Sequence, residues 1–174
     1  QTAESYTRTR AFVPEDIKSL AESAKEGDKV LDSGCASGRL YGVLKDRNID
    51  YLGLDFSERL ISIAQKTYPE AKFQVVNLLN LPVPDNYFDK IYSIAVLHHI
   101  PSHELRLKSL EEVKRVLKPG GNLILTVWKL KSKKGLNLTF ELCLILKYII
   151  GKFIFRSGLD YRDVFEWWGK RTNR

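Results

Sequence analysis

The sequence predicts an α/β fold, a mostly parallel twisted sheet with helices on both faces, and three observations predict it. Short, nearly continuous apolar runs alternate with amphipathic stretches of helical period. Turns rich in Gly, Asp and Asn stand where those runs end. No internal repeat or low-complexity segment interrupts the pattern, and 174 residues at 44% apolar composition suit one buried core better than two. Strands that are apolar on both faces belong to a parallel sheet covered on both sides.

Taken in order, "VPEDIKSLAESAKEG" reads as a helix running to Gly27. Pro14 stands near its first turn with Glu15 and Asp16, and Ile17, Leu20, Ala21 and Ala24 recur at helical spacing. "KVLDS" is a short strand, "GRLYGVLKDR" a helix, "YLGLD" a strand and "SERLISIAQKT" a helix capped by Ser57, after which "KFQVV" is a third strand. "DKIYSIAVL" is a fourth strand. "SHELRLKSLEEVKRVL" is a helix with Leu107, Leu110, Val113 and Leu117 on one face, Gly120-Gly121 a turn, and "NLILTVW" a fifth strand.

The net charge of +7 is lopsided. Residues 1–128 hold 17 Lys+Arg against 17 Asp+Glu, and residues 129–174 hold 11 against 4, so the tail carries the whole excess. The reading is a core over 1–128 and a basic, apolar-rich helical extension of the same domain over 129–174. A concentrated basic patch attracts phosphates or anionic headgroups, although a solvated surface has the same composition. Leu136 to Phe155 is the longest apolar stretch, broken by Asn137, Glu141, Lys147 and Lys152, a charge density that argues against a span through lipid. Three roles stay open for it: a buried helix, a surface for a partner subunit, or an interfacial helix on a membrane, with membrane contact not favoured. The two cysteines, Cys35 and Cys143, lie in apolar stretches, so a disulfide scaffold is not expected and a cytoplasmic setting is the default.

In a sheet of this kind ligands bind beyond the carboxyl ends of the strands. After the first strand come Asp32, Gly34 and Gly38, and glycines there let a ligand approach the backbone at a helix amino terminus. After the second comes Asp55, 23 positions beyond Asp32, where a carboxylate can accept both hydroxyl hydrogens of a ribose. Each feature alone is ordinary; together they favour a nucleoside ligand. A dinucleotide would want G-x-G-x-x-G, and Gly34-Cys35-Ala36-Ser37-Gly38 does not supply it.

That turn instead resembles the first motif of class I S-adenosylmethionine-dependent methyltransferases, D-x-G-x-G-x-G, with Ala36 where the middle glycine is usual. The resemblance covers roughly residues 3–130 and implies a Rossmann-like fold with S-adenosyl-L-methionine as cofactor and S-adenosyl-L-homocysteine as product. "NLLNLPVPDNYFD" looks like the family's third-strand exit, where an acid receives the adenine amino group. Here Asn77 replaces the acid, and its carbonyl oxygen can still accept from an amine, while Leu78 supplies an apolar contact and a backbone N–H. The likeness also implies cofactor contacts from Cys35 and Ala36 in the turn, from Phe56 beside Asp55, and from Ser93 and Ile94 on the fourth strand.

Within the superfamily, "SIAVLHHIPSHELRLKSLEEVKRVLKPGGNLILTVW" is closest to the methyltransferases that esterify carboxymethyl-modified uridine at the tRNA wobble position. "YTRTR" looks like that family's start, where an aromatic and an arginine fold over the cofactor, which makes Tyr6 a cofactor contact and Arg10 a candidate clamp for the acceptor carboxylate or a solvent-exposed arginine. "DYRDVFEWWGK" resembles a later stretch of the same family, with Glu166-Trp167 departing from its usual Val-Pro pair. The resemblance implies tRNA as partner, with a small zinc-binding activator subunit. The basic tail and Trp167-Trp168 would suit tRNA, and the two tryptophans equally suit a core helix.

A methyl carried on a sulfonium is already an activated electrophile, so the enzyme aligns acceptor and donor and excludes water. A carboxylate acceptor is nucleophilic at neutral pH and needs no general base, which leaves His98 and His99 to position it or to serve as structural residues. Relatives usually continue into two further strands, whereas only 46 residues follow Trp128 here and they read mostly as helix. The expectation is a sheet lacking its end hairpin, in a fragment or a short form. Two other readings stay open: a small-molecule or lipid-quinone methyltransferase, and a non-catalytic cofactor-binding or scaffold subunit.

Overall fold

A computed structural model of the chain describes residues 15–127, save the side chain of Asp16. Tyr6, Arg10 and the whole of 129–174, with its 136–155 run and paired tryptophans, lie outside the described residues. Within them the chain runs α1 (Glu15–Ala21), β1 (Lys29–Ser33), α2 (Arg39–Leu44), β2 (Asp50–Asp55), α3 (Glu58–Thr67), β3 (Lys72–Val75), β4 (Phe88–Ile94), α4 (His103–Val116) and β5 (Leu117–Thr126). The five strands form one parallel sheet in the order β3-β2-β1-β4-β5, a Rossmann-like α/β architecture.

The register follows from the apolar runs. Val30 pairs with Tyr51 and Lys90, and Leu31 with Leu52 and Ile91, so two core layers form on opposite faces. One layer gathers Val30, Tyr51, Phe73 and Tyr92 under α1–α3; the other gathers Leu31, Leu54, Phe88 and Ile91 with Val113 and Val116 of α4. β1 is buried on both faces from Val30 to Ser33, so its polar residues Asp32 and Ser33 lie inside as well. Lys90 is buried as well, held by the Ser23 carbonyl at 2.7 Å and by Asp28 at 3.7 Å.

Serine caps open both long helices. Ser57 Oγ accepts the Leu60 N–H at 3.4 Å for α3, and Ser102 Oγ accepts the Leu105 N–H at 3.3 Å for α4.

Four expectations need correction. The first helix ends at Ala21 and not at Gly27; turns then carry the chain through Ala24 to Gly27, which takes φ +80°. β4 ends at Ile94 and not Leu97, because Ala95 takes φ +57° and the chain turns into a short 3₁₀ segment, Leu97–His99. The buried face of α4 is Ser109, Val113 and Val116, not the stripe through Leu107, which is 47% exposed. The helix is rolled by about one position relative to the leucine pattern, so Leu110 lies at the border of the buried stripe. Finally, Gly120-Gly121 does not separate helix from strand: β5 begins at Leu117, opposite Phe88, and resumes at Asn122, opposite Lys90. The extra residues on β5 are taken up as a bulge in which Gly121 lies so close to the Asp89 carbonyl that a Cβ would approach it to 2.9 Å.

Candidate functional site

The carboxyl ends of β1, β2, β3 and β4 bring the sequence-derived residues to one edge of the sheet. After β1, the Gly34 and Cys35 amides both donate to the Leu54 carbonyl, at 2.7 and 3.0 Å, and bend the chain across the end of β2. The bend uses the left-handed region at Gly34 (φ +88°), Ala36 (φ +49°) and Gly38 (φ +80°). Ala36 therefore adopts a conformation that L-residues visit at a cost, at the position where the family motif has glycine.

What holds Ala36 there is Asp55. Its Oδ2 accepts the Ala36 N–H at 3.0 Å and its Oδ1 accepts the Ser57 N–H at 2.9 Å. Each oxygen keeps a further lone pair, so the carboxylate is locked in place by the backbone and still able to accept from a vicinal diol. Beside it Phe56 is 78% exposed, an aromatic ring left in solvent next to a buried acid. These residues fit a nucleoside-bearing cofactor: a fixed diol acceptor, an apolar face for a base, and a tight backbone bend.

The third-strand exit completes this side. The Val76 N–H donates to the Asp55 carbonyl at 2.9 Å, which leads the chain past Asp55 into the Asn77–Asn80 turn. Asn77 Oδ1 accepts the Leu79 N–H at 3.0 Å, so one acceptor position of that side chain is already filled and one remains. Leu78 is buried with Leu81 in the α4-side core.

Asp32 lies deeper. Its Oδ2 accepts the Tyr51 hydroxyl at 2.8 Å, and burial pushes its carboxyl up to about 7, opposed by the Tyr51 hydrogen bond, assisted by the nearby Asp55 and opposed by Arg39. Cys35 is buried, and that burial, followed by the two neighbouring carboxylates, raises its thiol far above the ordinary range. It packs, beside the Phe73 ring, in the space that Gly53 leaves open on β2.

On β4, Ser93 is buried and Ile94 half-buried at the sheet's edge. His98 and His99 follow on the 3₁₀ segment with ring centroids 4.2 Å apart, His98 half-buried and His99 exposed. Two residues absent from the sequence reading matter here. Val96 packs so closely on Gly34 that a Cβ on the glycine would come within 2.3 Å of it, joining the β1 and β4 exits. Thr126 receives the Ala95 N–H on both its carbonyl and its hydroxyl, at 3.1 and 3.0 Å. Neither residue carries a chemical signal of its own in the sequence. α2, at six residues, is also too short for a strong helix dipole, so the bend contributes through its backbone geometry.

A parallel sheet of this order, with a glycine bend after β1 and a backbone-locked aspartate after β2, defines a nucleoside-binding protein of the Rossmann-like class. Residues 31–125 match the family described as the methyltransferase domain. The chain belongs to that family, the class I S-adenosylmethionine-dependent methyltransferases. It is 33% identical over 144 residues to the tRNA (carboxymethyluridine(34)-5-O)-methyltransferase of Arabidopsis thaliana, covering 83% of this chain and 35% of that protein. Among solved structures it is similar to a TehB-like SAM-dependent methyltransferase from Corynebacterium glutamicum, with TM-score 0.62, 27% identity and 70% of each chain covered. It is also similar to the complex between the Haloferax volcanii Trm112 methyltransferase activator and a methyltransferase, with TM-score 0.59, 25% identity, and 70% of this chain and 54% of that one covered. The chain spans about a third of the length of the first curated relatives it matches. Among the described residues, no helix is long and apolar enough to cross a membrane.

Proposed function

We propose that the protein transfers a methyl group from S-adenosylmethionine to the carboxylate of carboxymethyl-modified wobble uridine in tRNA. The observation that carries the reading is Asp55: a diol acceptor fixed by two backbone amides, beside exposed Phe56, in a chain similar over most of its length to a tRNA carboxymethyluridine methyltransferase.

The bound cofactor supplies a methyl group on a sulfonium, an electrophile that needs no further activation. The chain's own residues bind and orient. Asp55 accepts from the ribose hydroxyls, Phe56 flanks the base, Leu78 offers its backbone N–H while its side chain packs in the core, and Asn77 accepts from the base's amino group with its remaining lone pair. The bend from Gly34 through Ala36 to Gly38, with Cys35 packed behind it, lets the methionine end lie against backbone, and Ser93 and Ile94 line that end. Asp32 acts beneath the bend through Tyr51, and Tyr6 covers the cofactor. A carboxylate acceptor attacks in its ionised form, so the work of His98, His99 and Arg10 is to hold it in line and not to remove a proton. Histidine N–H groups and an arginine fork are suited to that task.

The basic residues of 129–174 are assigned to tRNA phosphates, and a small zinc-binding activator subunit is assigned as partner, supported by the similarity to the Trm112-containing complex. A cytoplasmic setting is assigned, supported by the buried, free thiol of Cys35, which suits a reducing compartment. The test is transfer of labelled methyl from S-adenosylmethionine to tRNA bearing carboxymethyluridine, with and without an activator subunit. Incorporation into a base-labile ester at that nucleoside is expected. Binding of S-adenosylhomocysteine without any transfer, in either condition, would overturn the substrate assignment.

A further inference from the structure

The Asn77–Asn80 turn hangs between two anchors. On its amino side Val76 is bonded to the Asp55 carbonyl, and within it the Asn80 N–H closes on the Asn77 carbonyl at 3.0 Å. On its carboxyl side the next residue, Leu81, is gripped by both of its backbone groups. Its N–H donates to Glu112 Oε2 at 2.7 Å, and its carbonyl accepts from Arg115 Nη2 at 2.9 Å.

Arg115 is used to capacity. Nε donates to Glu112 Oε1 at 2.9 Å, Nη2 to Glu112 Oε2 at 2.8 Å and to the Leu81 carbonyl, and Nη1 to the Val83 carbonyl at 2.9 Å and Asp85 Oδ1 at 2.6 Å. A guanidinium has five N–H donors, and these bonds occupy all of them. Glu112 is drawn down to about 2 by Arg115 in the first place, with the Leu81 amide assisting against partial burial. The pair lies at the carboxyl end of α4, far in sequence from the turn it holds, and the mechanism above gives it no task.

We propose that Glu112 and Arg115 are positioning residues for the base of the bound nucleoside, holding the Asn77–Asn80 turn in register with Asp55. The inference rests on the cofactor reading of the site. Asn80, whose amide closes the turn on the Asn77 carbonyl, adjoins Leu81 directly, so a slack clamp at Leu81 is felt at Asn77. Asp55 fixes the sugar from the β2 side, and the clamp fixes the base-reading turn from the α4 side. Lysine at 115 would keep the charge but offer three donors in place of the fork, leaving acceptors of the loop unpaired.

The test compares binding of S-adenosylhomocysteine with that of S-inosylhomocysteine, which carries an oxo group where adenine has its amine, by calorimetry on the wild type, Arg115→Lys, Glu112→Gln and Lys118→Ala. The wild type is expected to prefer the adenosyl ligand. Arg115→Lys and Glu112→Gln are expected to weaken S-adenosylhomocysteine by about tenfold and the inosyl ligand by much less, so that the preference collapses. KM for S-adenosylmethionine should rise with kcat nearly unchanged at saturation. Lys118→Ala, which removes a different ion pair to Asp89, should leave the preference intact. A role in stability alone would lower the melting temperature and leave the ligand preference of the folded protein as it was, overturning the proposal. Should Arg115→Lys fail to fold, the near-isosteric Glu112→Gln decides by the same criterion. A wild type that binds neither ligand overturns the cofactor reading itself; one that binds both equally overturns base recognition by this turn.

Discussion

The Asp55 carboxylate accepts the backbone N–H of Ala36 at 3.0 Å, so the residue assigned to the cofactor's sugar also fixes the bend assigned to its methionine end. Asp55→Ala therefore has two separable effects. Loss of charge-assisted bonds to the ribose should weaken S-adenosylhomocysteine by about 2 to 4 kcal/mol, seen by calorimetry. Loss of the acceptor for the Ala36 and Ser57 amides should lower unfolding free energy by about 1 to 3 kcal/mol, seen in urea titration without ligand. Unchanged affinity in a folded variant would place the sugar elsewhere.

Ala36 at φ +49° holds a conformation that glycine reaches without steric cost. Ala36→Gly restores the family pattern and should stabilise the free protein by about 0.5 to 1 kcal/mol, the relief at positive φ exceeding the entropy that glycine adds to the unfolded chain. Cofactor affinity should rise or hold. A fall in the denaturation midpoint would show that the methyl group packs favourably in the bend.

Two carboxyls, one buried and one half-buried, give the free protein opposite slopes of stability with pH. Glu112 is depressed to about 2, so its contribution is fully present above about 4.5 and is lost as pH falls from there toward 2. Asp32 is raised to about 7, so between about 4 and 7 the folded chain keeps a proton that the unfolded chain has released, and stability declines as pH rises through that window. The maximum should fall near pH 4 to 5. Asp32→Asn keeps a carbonyl oxygen for the Tyr51 hydroxyl and removes this titration, so its stability should lose this decline between about pH 4.5 and 8 and exceed wild type by about 4 kcal/mol at pH 8. Urea titrations at several pH values check both slopes, and an Asp32→Asn curve parallel to wild type would refute the assignment.

The central strands β1, β2 and β4 were legible because burial on both faces leaves short apolar runs, the more exposed β3 and β5 by their place between helices and turns, and Asp55 by its spacing from the bend after β1. Ser57 was legible too, as a cap written in local sequence. The roll of α4 was not. Leu107, Leu110, Val113 and Leu117 make a helical stripe on paper, yet the buried face runs through Ser109, because packing of Val113 and Val116 on the sheet and not hydropathy sets the rotation. The Gly120-Gly121 bulge was read as a turn for a similar reason: whether two glycines end a strand or bend one depends on the neighbouring register. The bond between Tyr51 and Asp32, the contact of Val96 with Gly34 and the Arg115 clamp all join residues distant in sequence, and no local pattern encodes such pairs.

Asn77 stands where the family places an acid, and its Oδ1 is already engaged by the Leu79 amide at 3.0 Å. The remaining lone pair belongs to a neutral oxygen whose density is shared with that bond, so its bond to an adenine amine is a weak one. Asn77→Asp supplies a second oxygen: one can keep the Leu79 amide while the other accepts from the base with a full charge behind it. Since Asn77 is exposed, ionising the new carboxylate carries little desolvation cost. A hydrogen bond to a charged acceptor exceeds a neutral one by about 1 kcal/mol, so S-adenosylhomocysteine should bind about fivefold more tightly. The gain should be absent for S-inosylhomocysteine, whose base has no exocyclic amine to donate. Calorimetry with the two ligands decides it: equal gains would mean a general electrostatic effect on a cationic amino-acid tail, and no gain would mean that the base sits away from this turn.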